Sequence, residues 1–211
     1  MWDIDYLANT RARDISQYLL GYYEKDCSAV SIDCSHTSDD AIKQIMSLKN
    51  KGTVIGVQFN TAHHTNHYPR NYPKNLAKEY AQMCKKSGYS VVNLTGGYDL
   101  GADMDCGDID ILAMPGIIKM LDIVVTIDSF SGHLAGCFNI PCIVLFKEVY
   151  AYTMEVLRNN LNLVSKTSHI RSILPEHIFK YTTDIISGEI ELPQNIKEEY
   201  NILNESNTVM L

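Results

Sequence analysis

Short β-branched apolar runs at 54–60, 90–94, 124–127 and 142–146 alternate along the chain with longer segments of helical period. An apolar run bounded by turn residues is what a strand buried on both faces of a parallel sheet requires. Between the runs, Thr37-Ser38-Asp39-Asp40 offers an N-cap cluster for a helix over 41–49, which Asn50-Lys51-Gly52 ends. Pro73 opens and Gly88 closes a helix over 73–87, with Leu76, Tyr80 and Met83 on one face. Tyr72 and Tyr80 are expected in the core or the wall of a groove, and Tyr68 adds stacking surface beside them. A further helix is predicted over 114–121, and helix-like segments around 154–159 and 175–186 are expected to pack back on the sheet. Residues 4–24 carry Ile4, Leu7, Ile15, Tyr18, Leu19 and Tyr22 at near-helical spacing, an apolar stripe that needs cover from the core or from a second chain. Strand and helix in alternation predict an α/β fold, a Rossmann-like parallel sheet flanked by helices and joined by right-handed crossovers. The organisation expected is an N-terminal helical or linker region over 1–50, the α/β domain over 51–190 and a C-terminal tail over 191–211. The tail is polar and weakly periodic from 194 onward, so it is expected to be mobile or bound outside the core.

The stretch 124–146, VVTIDSFSGHLAGCFNIPCIVLF, reads as strand, polar turn, helix start and second strand. Asp128 breaks the apolar run, and Ser129, Phe130, Ser131, Gly132 and His133 precede the apolar helix side of Leu134, Ala135 and Phe138. Ligands of open α/β sheets bind beyond the carboxyl ends of the strands, where free N–H groups at a helix N-terminus favour an anion such as a pyrophosphate. Asp128, Ser129 and His133 are therefore candidate contacts, His133 as a donor to phosphate, and Gly132 would allow close backbone approach. An Asp in this position also serves simply as a helix cap.

The order D-S-x-x-x-H-L-A at 128–135, followed by a helix and an apolar strand, resembles the donor-nucleotide motif of ADP-heptose heptosyltransferase-like glycosyltransferases of GT-B fold. The stretch 53–60 (TVIGVQFN) is similar to the first strand of that family's C-terminal nucleotide domain, Arg70-Asn71-Tyr72-Pro73 to its basic, variable, aromatic and Pro positions, and 35–50 to the helical segment that leads in. The resemblance covers roughly 30–185. It implies Arg70 toward the diphosphate, where a guanidinium can bind two oxygens and offset charge on a departing nucleotide, and Asp99, in the turn Gly96-Gly97-Tyr98-Asp99, toward ribose hydroxyls. Two positions depart from the family: Phe130 stands where Gly or another small residue is common, and Lys147-Glu148 where a Gly-Pro-Thr turn is usual, so the loop after 142–146 is expected to be reshaped.

With 211 residues and 45% hydrophobic composition the chain can bury one sizeable core, and two full lobes would need more length. A net charge of −7 argues against nucleic-acid binding by bulk electrostatics, so any phosphate site must be built locally. The N-terminus lacks a signal-peptide apolar region, and no apolar run approaches the roughly 20 residues of a membrane span. Cys27, Cys34, Cys84, Cys106, Cys137 and Cys142 show no C-x-x-C spacing. They are expected to be reduced, in a cytoplasmic protein, with the pair in the apolar region 137–145 acting as small buried hydrophobes. His63, His64 and His67 have metal spacing only on a helix, and Pro69 with the polar run around it predicts a loop, so no metal site is expected; they suit the sugar or acceptor end of a crevice better.

The resemblance implies a protein that binds a nucleoside-diphosphate sugar and transfers the sugar, with the nucleotide sugar as donor substrate and no separate cofactor. The catalytic base of that family comes from its N-terminal lobe, so here it would come from a reduced N-terminal region or from a partner: a second copy of the chain or a separate acceptor-domain chain. Asp3, Asp5, Asp33 and His63 are the residues available for it, with none singled out. The alternatives are a non-catalytic module that binds a nucleotide or nucleotide sugar, and a scaffold with a degenerate site that makes protein contacts.

Overall fold

The structure is a computed structural model and describes residues 32–61, 70–147, 160–165, 167, 169–192 and 208–211. Its centre is a parallel sheet of β1 (Val54–Gln58), β2 (Ser90–Asn93), β3 (Met104–Asp105), β4 (Ile123–Ile127), β5 (Cys142–Phe146), β6 (Asn160–Val164) and β7 (Thr208–Met210). The spatial order is β3-β2-β1-β4-β5-β6-β7. The direction of winding reverses between β1 and β4, the point of a doubly wound sheet at which a crevice opens.

The period of two along each strand sorts the core. Ile55, Val57, Ile123, Val125, Ile127, Ile143 and Leu145 face one layer, where they meet α2 (Lys74–Lys86) and α5 (Pro175–Ser187) through residues such as Ala77, Tyr80 and Ile178. Val54, Val92, Val124, Cys142 and Val144 face the other, against α1 (Asp39–Lys49), α3 (Met114–Lys119) and α4 (Phe130–Cys137) through Ile45, Ile117 and Ala135. Full burial of each such aliphatic side chain contributes about 1.5–3 kcal/mol. Gly56 belongs to the second face, where a Cβ would lie 2.3 Å from Leu121 Cδ1, so β1 and the turn after α3 close on each other only because that position lacks a side chain.

Local signals set the helix ends. Ser38 caps α1 by accepting from the Ala41 N–H at 3.3 Å, and Lys49 in its last turn meets the Asp122 carboxylate at 2.7 Å. Asp122 also accepts from the Val54 N–H at 2.8 Å, which ties α1 and the start of β1 to the approach of β4. Tyr72 and Tyr80 are wholly buried, as expected. The Tyr72 hydroxyl donates to Ile173 O at 2.6 Å, and Tyr80 meets Thr182 Oγ1 at 2.9 Å, so these rings join α2 to α5 and its approach.

The sequence pattern omits three strands. β3 is two residues long inside an acidic, turn-rich stretch. β6, Asn-Leu-Asn-Leu-Val, places Asn160 and Asn162 in the interior, where the Asn160 amide donates to Asn162 Oδ1, so a buried strand carries a polar pattern. For its last residues, β7 corrects the expectation of a tail that is mobile or bound outside the core: Thr208–Met210 pairs in parallel with β6, Leu163 opposite Val209, and Leu211 N–H donates to Val164 O at 2.8 Å. Cys84 and Cys142 are buried and their thiols are pushed up by burial, but Cys137, at the end of α4, is exposed rather than buried. The helices expected over 4–24 and 154–159 and the loop of His63, His64 and His67 lie outside the described residues. No helix among the described residues is long and apolar enough to cross a membrane.

Candidate functional site at the sheet switch point

The strands that are apolar along their length become polar at their carboxyl ends. Gln58 and Asn93 close β1 and β2, Thr126 is next to last in β4 and Asn60 lies just beyond β1, and each is 1% exposed or less. Buried polar groups must find partners, and here they find one another. Gln58 Nε2 donates to Ser129 Oγ at 2.7 Å, crossing the gap between β1 and the end of β4. Thr95 Oγ1 donates to Asn60 Oδ1 at 3.0 Å, and the Asn60 amide donates to Gly96 O at 2.7 Å, which fixes the loop after β2. The Asn93 amide donates to Tyr98 O at 3.1 Å and to Asp105 Oδ2 at 2.8 Å, which fixes the ends of β2 and β3 together. Ser131 Oγ donates to Thr126 Oγ1 at 2.8 Å and pins the first turn of α4 to β4.

This belt floors an open cleft of about 920 Å³, whose lining includes Gln58, Lys74, Thr95, Gly96, Asp99, Asp105, Asp108, Ser129 and Phe130. That volume lies within the range of ligand sites, about 300–1,000 Å³. One wall depends on a pair of glycines. A Cβ on Gly107 would lie 2.6 Å from Gly96 Cα, and one on Gly96 would lie 3.1 Å from Gly107 Cα, so the two loops touch backbone to backbone. Cys106 also lines the cleft, and burial pushes its thiol up to about 12, which keeps it protonated and poorly nucleophilic at neutral pH.

Ser129 occupies the N-cap position of α4, yet its side chain makes no cap bond, because its Oγ is turned to Gln58. The first-turn amides of α4 thus have no side-chain cap and stand at the edge of the cleft, the geometry that favours an anion. Nor does Asp128 cap the helix. It pairs with Arg70, Nη1 to Oδ2 at 3.1 Å, with the guanidinium 55% exposed and the carboxylate 26% exposed. An ion pair that open to solvent is worth about 0–1 kcal/mol, so it can be exchanged for another anion at small cost. His133, half-buried on α4, has its pKa lowered by burial, against the opposing pull of the Asp128 charge.

The candidates read from sequence thus fall into two groups. Arg70, Asp128 and His133 cluster at the mouth of the β1/β4 gap. Ser129 and Asp99 line the cleft itself, Asp99 on the far wall, exposed, accepting from Gly101 N–H at 3.1 Å and 3.8 Å from Lys78 Nζ. Gly132 is buried inside the first turn of α4. Phe130, the departure from the family pattern, is accommodated as the first residue of α4, partly packed on the core and partly lining the cleft. Asp33 lies exposed, accepting from Ser35 N–H at 2.8 Å. The sequence reading passed over Gln58, Asn60, Asn93, Lys74 and Asp105. Gln58 and Asn93 carry a signal as polar residues that end otherwise apolar strands, whereas Asn60 lies beyond β1, Lys74 opens α2 and Asp105 ends the two-residue β3.

No protein-family model matches the chain, and no curated protein does. Among solved structures, it is similar to a family 9 glycosyl transferase from Veillonella parvula at 13% identity and a TM-score of 0.63, over 84% of this chain and 60% of that one. It is similar to the ADP-heptose LPS heptosyltransferase II of E. coli at 15% identity and 0.58, over 72% and 53%, and to the E. coli heptosyltransferase WaaC with ADP at 10% and 0.58, over 83% and 57%. The chain therefore spans 53% to 60% of the length of these structures. At such identities the likeness concerns fold alone: an α/β parallel sheet flanked by helices, of the kind found in heptosyltransferase-like GT-B glycosyltransferases.

Proposed function

We propose that the chain binds a nucleoside-diphosphate sugar at the β1/β4 switch point and serves as the donor-binding half of a glycosyl transfer. The observation that carries this reading is an open, polar-floored cleft lined by Ser129 and Phe130 at the uncapped start of α4, with Asp128 of the exchangeable Arg70–Asp128 pair next to Ser129 in the chain. In this reading the diphosphate sits against the first turn of α4, and the nucleoside extends into the cleft toward Asp99. Arg70 turns from Asp128 to the phosphates and offsets the charge that grows on the nucleoside diphosphate as the glycosidic bond breaks, and Lys74 adds a second cation nearby. Asp128, released from Arg70, accepts from hydroxyls of the sugar. His133 donates to a phosphate oxygen, and the bound anion favours its protonated form.

Thermal denaturation against nucleoside diphosphates and their sugars tests the binding, since a ligand of the folded state alone raises the melting temperature. A rise with diphosphates and their sugars that is absent with nucleosides supports the reading, and no rise with any of them overturns it. Release of free nucleoside diphosphate from the sugar donor, measured with and without candidate acceptors, then separates transfer from a module that only binds.

A further inference from the structure

We propose that the cleft selects its nucleobase through a wall of hydrogen-bond acceptors and prefers guanine; the inference rests on the nucleoside-diphosphate reading above. The amide donors of Gln58 and Asn60 and the Thr95 hydroxyl are engaged internally: Gln58 Nε2 with Ser129, Thr95 Oγ1 with Asn60 and the Asn60 amide with Gly96 O. Besides the hydroxyls of Thr61 and Ser129, which can donate as well as accept, what the lining still offers is mostly acceptors. Gln58 is 1% exposed and lines the cleft, with its Oε1 unpartnered among the described residues. Three carboxylates, Asp99, Asp105 and Asp108, line the same space, and Lys74 is the one cation among the described lining residues.

The carboxylates differ in what they still have to give. Asp105 already accepts from Gly107 N–H at 2.8 Å and from the Asn93 amide, and Asp99 from Gly101 N–H. Asp108 is exposed and lines the cleft together with Ile109, Ile111, Leu94 and Met114, whose side chains give apolar lining for a flat ring. A base held between those side chains presents its edge to Asp108. Guanine offers N1–H and the 2-amino group side by side, a fork that a carboxylate accepts with both oxygens, much as it accepts a guanidinium. Adenine offers an amino group next to an acceptor nitrogen. Uracil offers a single N–H flanked by carbonyl oxygens, which the carboxylates repel.

The test is isothermal titration of the full chain with GDP, IDP, ADP and UDP at one ionic strength. IDP is the probe of the fork, because it differs from GDP only by lacking the 2-amino group. GDP is expected to bind about tenfold more tightly than UDP and several-fold more tightly than IDP, the scale of one or two charge-assisted hydrogen bonds at a partly exposed edge. In Asp108→Asn the loss of a negative charge changes the affinity for every diphosphate alike, so the ratio of GDP to IDP is the readout, and it should fall toward one. Equal binding of all four ligands, or a preference for ADP or UDP, overturns the inference and leaves the nucleotide reading standing. A ratio unchanged in Asp108→Asn overturns the role of that carboxylate. Binding of none of the four overturns the nucleotide reading and this inference with it.

Discussion

Replacing Arg70 by Ala separates a structural role from a phosphate-binding one, because the two predict opposite balances of stability and affinity. Its only ion-pair partner among the described residues is Asp128, at 3.1 Å, and its side chain is 55% exposed. Solvent screening limits such a pair to about 1 kcal/mol at most, so Arg70→Ala should shift the unfolding free energy by less than ~1 kcal/mol. A guanidinium on a diphosphate makes charge-assisted hydrogen bonds of about 1.5–3 kcal/mol, and exposure puts this one at the lower end. Surrendering Asp128 takes back part of that, leaving about 1–1.5 kcal/mol, or roughly five- to tenfold in Kd. Calorimetric titration with a nucleoside diphosphate and the bare nucleoside measures it: the diphosphate should weaken by that factor, while the nucleoside, which never reaches Arg70, stays within about twofold. Arg70→Lys should fall between, since it keeps the charge and loses the fork. Equal losses for nucleoside and diphosphate, or a stability loss exceeding the affinity loss, would refute the assignment.

The pH dependence of His133 has a defined sign. Burial holds its folded pKa below the ordinary 6.5, so stability present above that value falls as pH drops from there toward the lowered folded pKa, and His133→Gln should flatten denaturation curves over that window. A bound diphosphate reverses the preference, so titrations near pH 6 in buffers of different ionisation enthalpy should show proton uptake in the wild type and none from this group in the variant. Gly107→Ala places a methyl 2.6 Å from Gly96 Cα and must part the two loops, so chemical denaturation should show a loss of about 1–3 kcal/mol with a matching fall in nucleotide affinity; an unchanged affinity would mean that this wall does not shape the site.

The reach of the sequence follows from which residues carry local signals. Strands β1, β4 and β5 are apolar runs buried on both faces, and α1 and α2 have Ser38, Pro73 and Gly88 at their ends, so pattern and capping coincide with the structure. The strand β6 was hidden because Asn160 and Asn162 satisfy each other inside the core, a pairing that only the fold reveals. The edge strand β7 is three residues that owe their conformation to β6 and carry little period of their own. At the site, Asp128, Ser129 and His133 were legible because they interrupt an apolar run just before a helix. Gln58 and Asn93 were not, since each was counted with the strand it ends, and its role depends on a partner distant in sequence, Ser129 for Gln58 and Asp105 for Asn93.

That polar belt also sets a tension between stability and binding. Gln58 Oε1 and Asn93 Oδ1 are buried acceptors, and Thr61 Oγ1 a buried hydroxyl, without partners among the described residues, at or just beyond the carboxyl ends of β1 and β2. Each such acceptor costs about 1–3 kcal/mol relative to a satisfied one. A leucine or valine there would pack as Val57 and Val92 do one residue earlier and would remove the cost. Burial in the middle of the sheet is therefore apolar, and the unsatisfied polar atoms of these strands gather at one end, beside the switch point. A ligand that donates to Gln58 Oε1 recovers part of that cost on binding, which makes the same atom a weakness of the unliganded fold and a source of affinity in the complex. The ribose hydroxyls meet that requirement, as would a nucleobase donor not engaged by Asp108, whereas a ligand of acceptors alone would leave the Gln58 and Asn93 oxygens as unsatisfied as before.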